Sequence, residues 1–314
     1  MEKAIEAIGV TKVFGRFRDK VVAVNNLNMK IKKGTVHGFI GPNGAGKTTT
    51  IKMIVGAIKP TKGKIFVFGE PAGSVKAKSY LGYSPEHPDF YPMSAMDFLV
   101  YSAEVCGMKR DEARKRAKEL LEWMGLYDFR NKNARNFSAG MKQKLSLIQA
   151  LIHDPEIIIL DEPTANLDPI GRLEILEKIR MLAVKEKKTI FVSSHILHEL
   201  ERIVDHVTII KRGNVILQAS VEEFRKKFMV NHFIINTKNN SKYLKEIKKI
   251  RYVKEAKINH EKKIETIVTN SQKFKKELLG LFRGKEEELI EFSPFKMSLE
   301  NFFLKVMGRE EWEL

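Results

Sequence analysis

The run Gly41-Pro42-Asn43-Gly44-Ala45-Gly46-Lys47-Thr48 matches Gly-x-x-x-x-Gly-Lys-Thr in full. Glycines let successive backbone N–H groups converge on an anion, and a helix starting at the end of the loop adds partial positive charge there. The chemistry is phosphate binding. Lys47 reaches β- and γ-phosphates, and the Thr48 hydroxyl ligates a Mg²⁺ ion bridging the same two groups. A second pair, Asp161-Glu162, follows the apolar run Ile157-Ile158-Ile159-Leu160. A carboxylate just beyond the C-terminal edge of a sheet is held rigidly beside such a loop. Asp161 is placed to hold Mg²⁺, usually through water. Glu162, one residue on, faces the γ-phosphate and orients or deprotonates an attacking water.

These residues need elements to position them. Val36 to Ile40 is a short apolar strand ahead of the loop, and Thr49 to Ile58 has helical spacing at Ile51, Ile54, Val55 and Ile58. Val21 to Ile31 looks like a strand near the N-terminal edge, closed by a turn at Lys33-Gly34. Glu156 to Leu160, Thr189 to Val192 and Val207 to Ile210 are strand-length apolar runs separated by helical stretches such as Leu173 to Val184. That alternation predicts an α/β core with a largely parallel sheet. Between Met96 and Glu122 the pattern is helical throughout, as expected of a helical insertion. After about Phe224 the composition shifts: Arg225 to Leu314 holds 21 Lys+Arg and 13 Asp+Glu, a balance of +8. A separate α+β appendage is expected there, with Lys245 to Lys254 a solvated face.

Composition excludes several classes. The 314 residues are 43% hydrophobic and 30% charged, with 20 Gly and 10 Pro, which suits neither a disordered nor a fibrous chain. The single cysteine, Cys106, forms no internal disulfide and reads as a small buried apolar residue. Apolar runs are strand-sized and the N-terminus has no secretory pattern, so a cytoplasmic location is expected. The net charge of +17 favours an anionic partner: nucleotide, lipid headgroups or nucleic acid.

With both motifs placed, the chain resembles the nucleotide-binding subunit of an ABC (ATP-binding cassette) transporter. Phe137-Ser138-Ala139-Gly140-Met141 is similar to the signature of that family, Leu-Ser-Gly-Gly-Gln or -Met, and precedes the Asp161-Glu162 strand. The resemblance implies ATP and Mg²⁺ as cofactors, with Gly41 to Thr48, Thr49 and Phe14 binding nucleotide and Phe14 stacking on adenine. It implies a head-to-tail pair of cassettes, in which Ser138, Ala139, Gly140 and Met141 close over ATP held by the other chain. Ser138 and the Gly140 amide lie at the N-terminus of a helix beginning near Met141, a second anion site. Alanine at 139 suits that role if the position needs no positive φ.

Further matches carry further roles. Ser193-Ser194-His195 resembles the switch histidine segment, giving His195 a γ-phosphate contact beside the base Glu162. Asn166-Leu167-Asp168 resembles the loop that crosses the dimer interface. Gly82-Tyr83-Ser84-Pro85-Glu86 is similar to the segment carrying a Mg²⁺-sensing glutamine, so Glu86 joins Thr48 and Asp161 as a metal residue. The fold implied is a P-loop NTPase core of ABC type over residues 1–224, with an antiparallel β edge, a helical subdomain at about 88–150, and an α+β domain at 225–314. The function implied is ATP hydrolysis powering transport, by the drug-exporter-like tail export, through a separate multi-spanning membrane permease at the inner face of the cell membrane. A nucleic-acid ATPase is disfavoured, because there is one phosphate loop and no long coiled-coil insertion between Thr48 and Ser138. Phe292, Phe295, Leu299, Phe302 and Phe303 in the tail are expected to brace two cassettes.

Overall fold

A computed structural model describes residues 2–15, 19–165, 167–224 and 231–295. The chain divides into two compact units, Met1–Ala219 and Ser220–Leu314. In the first, β1 (Lys3–Phe14) pairs antiparallel with β2 (Val21–Lys32). The turn expected at Lys33-Gly34 follows, and β3 (Val36–Ile40) leads into the glycine loop and α1 (Lys47–Ile54). The helix is shifted from its expected span. It begins at Lys47 because Gly46 caps it at φ +105°, and it stops short of Ile58 because Gly56 turns left-handed at φ +74°.

Next come β4 (Lys62–Val67), β5 (Glu70–Pro71), α2 (Val75–Ser79) and β6 (Leu81–Ser84). The helical stretch is two helices, α3 (Ala95–Val105) and α4 (Arg110–Trp123), broken at Gly107 with φ +92°. Cys106 sits in that break as the C-cap of α3 and is exposed, not buried, because the apolar face of α3 ends before it. The helix α5 (Ala139–Leu151) packs against both. Then β7 (Ile157–Asp161), α6 (Pro169–Lys185), β8 (Thr189–Ser194), α7 (Leu197–Leu200), β9 (His206–Lys211) and β10 (Asn214–Ser220) complete the unit. Among the described residues no helix is long and apolar enough to cross a membrane.

Two sheets result, in the orders β2-β1-β4-β5 and β10-β9-β3-β8-β7-β6. Pairing of β9, β3, β8, β7 and β6 is parallel throughout. The strands β3, β7 and β8 are buried at every residue, as expected when helices or another sheet cover both faces. Between the sheets lies one core, where Ile51, Met53 and Ile54 of α1 meet Leu27 and Met29 on one side and Phe39, Ile159 and Phe191 on the other. The helix behind the phosphate loop is thus clamped by apolar contact from two layers.

The second unit runs β11 (His232–Thr237), α8 (Asn240–Ile247), β12 (Val253–Ile258), β13 (Ile264–Val268), α9 (Ser271–Leu281) and β14 (Leu289–Pro294). Its sheet order is β12-β13-β11-β14 with every pair antiparallel, a βαββαβ arrangement. Asn239 and Asn270 cap the two helices, accepting from the amides of Lys242 and Lys273. Phe233, Ile235, Ile264 and Val268 meet Tyr243, Ile247, Phe274 and Leu278 to form its core. Phe292 packs against this core, its ring 5.3 Å from that of Phe233, because the register opposes it to Ile235. Phe295 stacks on His232 at 4.1 Å. Both aromatics, expected on a partner surface, are therefore engaged within their own unit; Leu299, Phe302 and Phe303 lie outside the described residues.

One buried group makes the core pH-sensitive. His37 of β3 is 1% exposed and shares a 2.8 Å hydrogen bond with the Thr208 hydroxyl. Burial first, and the charge of neighbouring His206 second, push its pKa down from 6.5 to about 3. The folded protein keeps this imidazole neutral while the unfolded chain protonates it, so stability is lost as pH falls from about 6.5 toward 3. Urea unfolding at pH 4.5 is expected to show a loss of about 2 kcal/mol relative to pH 7, largely absent in His37→Gln. Equal pH dependence in both proteins overturns the assignment.

Candidate active site

The loop between β3 and α1 is shaped by what its glycines permit. A Cβ on Gly41 would stand 2.5 Å from the Ile210 carbonyl oxygen, and one on Gly46 would stand 2.4 Å from that of Ala23. Both positions therefore require glycine. Gly44, at φ +76°, opens on free space. The loop is tied from behind by Ala45 N–H to Pro42 O at 3.1 Å and Gly213 N–H to Ala45 O at 2.9 Å. Thr50 returns its hydroxyl to Gly46 O at 2.9 Å. Pro42, Asn43, Gly44, Gly46, Lys47, Thr48 and Thr49 line a cleft of about 260 Å³ together with Glu86 and Glu162.

Charge is concentrated where the cleft meets the end of β7. The Lys47 ammonium donates to Gly41 O at 2.7 Å and lies 3.1 Å from Glu162 Oε1, both side chains nearly buried. The other oxygen of Glu162 lies 2.8 Å from His195 Nδ1, and the His195 amide donates to it at 3.3 Å. Glu162 has φ +49°, a left-handed backbone costly for a side chain of this size. It is over-determined by its contacts: its amide donates to Ser193 Oγ at 3.0 Å, and that hydroxyl donates to Asp161 Oδ1 at 2.6 Å. Lys47, Asp161, Glu162 and His195 thus form one connected group.

Ser193 stands in the switch segment, but motif reading gives it no role of its own. Its signal lay in the parallel register, which sets Asp161 opposite Ser193 across adjacent strands. Asp161 Oδ2 is buried with no partner. The Thr48 hydroxyl and the Glu86 carboxylate line the cleft, and with Asp161 at the end of β7 the oxygens present are those a hard cation takes. Among the described residues no cluster of three or more His, Cys, Asp and Glu forms a metal cage by itself. Local negative charge also shows at Tyr83, whose hydroxyl is pushed up to about 12 by burial and by the charges of Asp161 and Glu86.

The remaining expected residues stand apart from the cleft. Phe14 ends β1, is 43% exposed, and has the Lys12 ammonium 5.0 Å over its ring. Ser138 caps α5, accepting from the Met141 amide at 3.3 Å. The helix starts at Ala139, not near Met141, because the cap precedes it. Ala139 has no positive φ, so alanine costs nothing there. A Cβ on Gly140 would stand 3.5 Å from the Leu167 side chain, and Asp168 caps α6 by accepting from the Gly171 amide at 2.6 Å. Arg172 fixes that turn, donating to Leu167 O and Glu199, each at 2.9 Å. Asn166 lies outside the described residues.

Strand, glycine loop, helix and a strand-end carboxylate pair define a P-loop nucleoside-triphosphatase. A family profile described as ABC transporter matches residues 24–165. The bacitracin transport ATP-binding protein BcrA of Bacillus licheniformis is 41% identical over 230 residues, 72% of this chain and 73% of its own. The linearmycin resistance ATP-binding protein LnrL of Bacillus subtilis is 32% identical over 311 residues, 97% of this chain and 98% of its own. A dimeric ATP-binding cassette solved in a post-hydrolysis state with ADP and Pi superimposes with TM-score 0.64 at 25% identity, covering 69% of this chain and 98% of that one. The chain belongs to the ATP-binding proteins of the ABC transporter family, and it is an ATPase.

Ser193→Ala removes the hydroxyl that joins Asp161 to the Glu162 amide. Expected is an unfolding free energy lower by about 1–3 kcal/mol and ATP turnover lower by about tenfold, with ATP affinity little changed. Calorimetry and steady-state kinetics check it, and unaltered turnover removes Ser193 from the site.

Proposed function

We propose that this chain is the ATP-hydrolysing subunit of an exporter, acting as a pair of cassettes on a separate multi-spanning permease at the inner face of the membrane. The observation that carries the catalytic part is the Glu162 carboxylate, held between Lys47 at 3.1 Å and His195 at 2.8 Å above the phosphate loop. The names of the two relatives, a bacitracin transport protein and a linearmycin resistance protein, support the outward direction.

In this reading ATP lies across the loop, with its phosphates against the backbone amides of Gly44 to Thr49 and its adenine on Phe14. Arrival of the γ-phosphate draws Lys47 from Glu162 to the phosphate oxygens, because the phosphate carries more negative charge. Glu162 Oε1 is thereby freed to accept the proton of the attacking water, while His195 keeps the other oxygen in place and contacts the γ-phosphate. Thr48, Asp161 and Glu86 would hold Mg²⁺, which when bound neutralises charge on the β- and γ-phosphates. Ser138 and the amides of Ala139, Gly140 and Met141, at the N-terminus of α5, close over the nucleotide of the other chain, with Asp168 at the interface. Residues 1–224 carry this machinery, and 225–314 form an accessory domain.

Glu162→Gln is expected to keep ATP affinity, lose turnover by about 10²–10⁴-fold and accumulate an ATP-bound dimer in sedimentation. Lys47→Ala weakens ATP binding instead. Near-normal hydrolysis by Glu162→Gln removes the base from its role. The crossed geometry has its own test: Ser138→Arg and Lys47→Ala chains, each inactive alone, regain partial activity when mixed, because one of the two composite sites then carries neither lesion. Strictly additive loss shows that each chain hydrolyses ATP by itself.

A further inference from the structure

Among the described residues an apolar groove opens at the C-terminal end of α1, the end away from the glycine loop. It is a groove of about 510 Å³ walled by Met53, Ile58, Ile65, Phe66 and Ala72, between the C-terminal end of α1 and the β4-β5 turn. That volume is typical of a small-molecule site. Its shape is built into the backbone. Gly56 and Gly73 also line it, both at positive φ, and approach so closely that a Cβ on Gly56 would stand 2.2 Å from Gly73 Cα. Bare backbone therefore forms part of the wall at Gly56 and Gly73.

The rim is cationic. Lys59 and Lys64 line the groove and are exposed, and neither is paired with a carboxylate among the described residues. Lys12 Nζ donates to the Lys59 carbonyl at 2.8 Å, which holds the backbone of that corner. The corner is stitched down by Val13 N–H to Thr61 Oγ1 at 3.0 Å and Thr61 N–H to Thr11 O at 2.8 Å. Apolar walls ask for a hydrocarbon chain, and clustered uncompensated ammoniums ask for an anion at its end. A peptide helix is too large for this volume, and a neutral apolar molecule leaves the lysines unused.

We propose that the groove between α1 and the β4-β5 turn is a binding site for a single-chain anionic amphiphile, its chain against Met53, Ile65 and Phe66 and its carboxylate on Lys59 and Lys64. The site shares no residue with the nucleotide cleft, so it stands whether or not the catalytic roles above do.

Dodecanoate, kept below its micelle concentration, is titrated into the full-length chain by isothermal calorimetry, beside dodecanol and phosphatidylglycerol vesicles. Expected is saturable binding of one dodecanoate per chain, with dodecanol weaker by about tenfold or more. Lys59→Glu/Lys64→Glu is expected to weaken dodecanoate by at least about tenfold, and the groove-filling Ala72→Phe to abolish binding. Unchanged ATP affinity in each variant shows that the unit is folded; should Ala72→Phe fail this check, the charge-reversed chain decides alone. Equal affinity for dodecanoate and dodecanol, or dodecanoate binding indifferent to the charge reversal, overturns the site. Binding to the vesicles without binding of dodecanoate also overturns it, because the lysines then serve a membrane surface and the groove serves nothing.

Discussion

The buried ion pair between Lys47 and Glu162 is the constraint on which the first unit depends. Two opposite charges at 6% and 5% exposure are tolerable only in each other's company, since a lone buried charge is too costly to keep. To meet, the loop after β3 and the end of β7 must finish at the same level of the sheet with one strand between them. That strand is β8, whose register sets Ser194 beside Ile40 and Ser193 beside Asp161. The sheet order is thus what turns two separate motifs into one site.

Strain at Glu162 has the same origin. A non-glycine residue at φ +49° persists only where its surroundings outweigh the cost, and here four partners do so: Ser193, Lys47, and the ring and amide of His195. The carboxylate is aimed before any substrate arrives. On the loop side the two-layer packing of α1 does equivalent work, since Ile51 and Ile54 are wholly buried and leave the helix no freedom to retreat. Rigid support behind and paired charge in front hold the cleft and its carboxylate in one fixed arrangement.

The second unit obeys a separate logic. Its helices are capped by asparagines and its core is its own, so it has no need of the first unit to bury its apolar residues. The sequence shows a separate α+β appendage here, though its strands are lysine-rich. In β12, Lys254, Glu255 and Lys257 surround Ala256, the one buried residue of the strand. The alternation there is real but weak, because an edge strand needs only one apolar position to dock.

Much of the chemistry was legible without coordinates. The phosphate loop, the Asp161-Glu162 pair and the parallel core were readable because each is a local requirement: glycine where a Cβ collides, apolar runs where both faces are covered, a carboxylate directly after a buried strand. Gly41 and Gly46 bear this out residue by residue. Less was readable where the cause lay elsewhere in the chain. The early end of α1, the break that exposes Cys106, and the inward packing of Phe292 each follow from a turn or a register that periodicity does not encode. The sequence by itself determined that Gly41 to Thr48 form a glycine loop between a strand and a helix and that Asp161 and Glu162 close a buried strand, because those features depend on neighbours in the chain. Only the tertiary structure decided that Ser193 joins Asp161 to Glu162, that Lys47 rests on Glu162, and that a cationic groove opens at the far end of α1. Those contacts join residues distant in sequence, and the order of strands in a sheet is a property of the whole chain's packing.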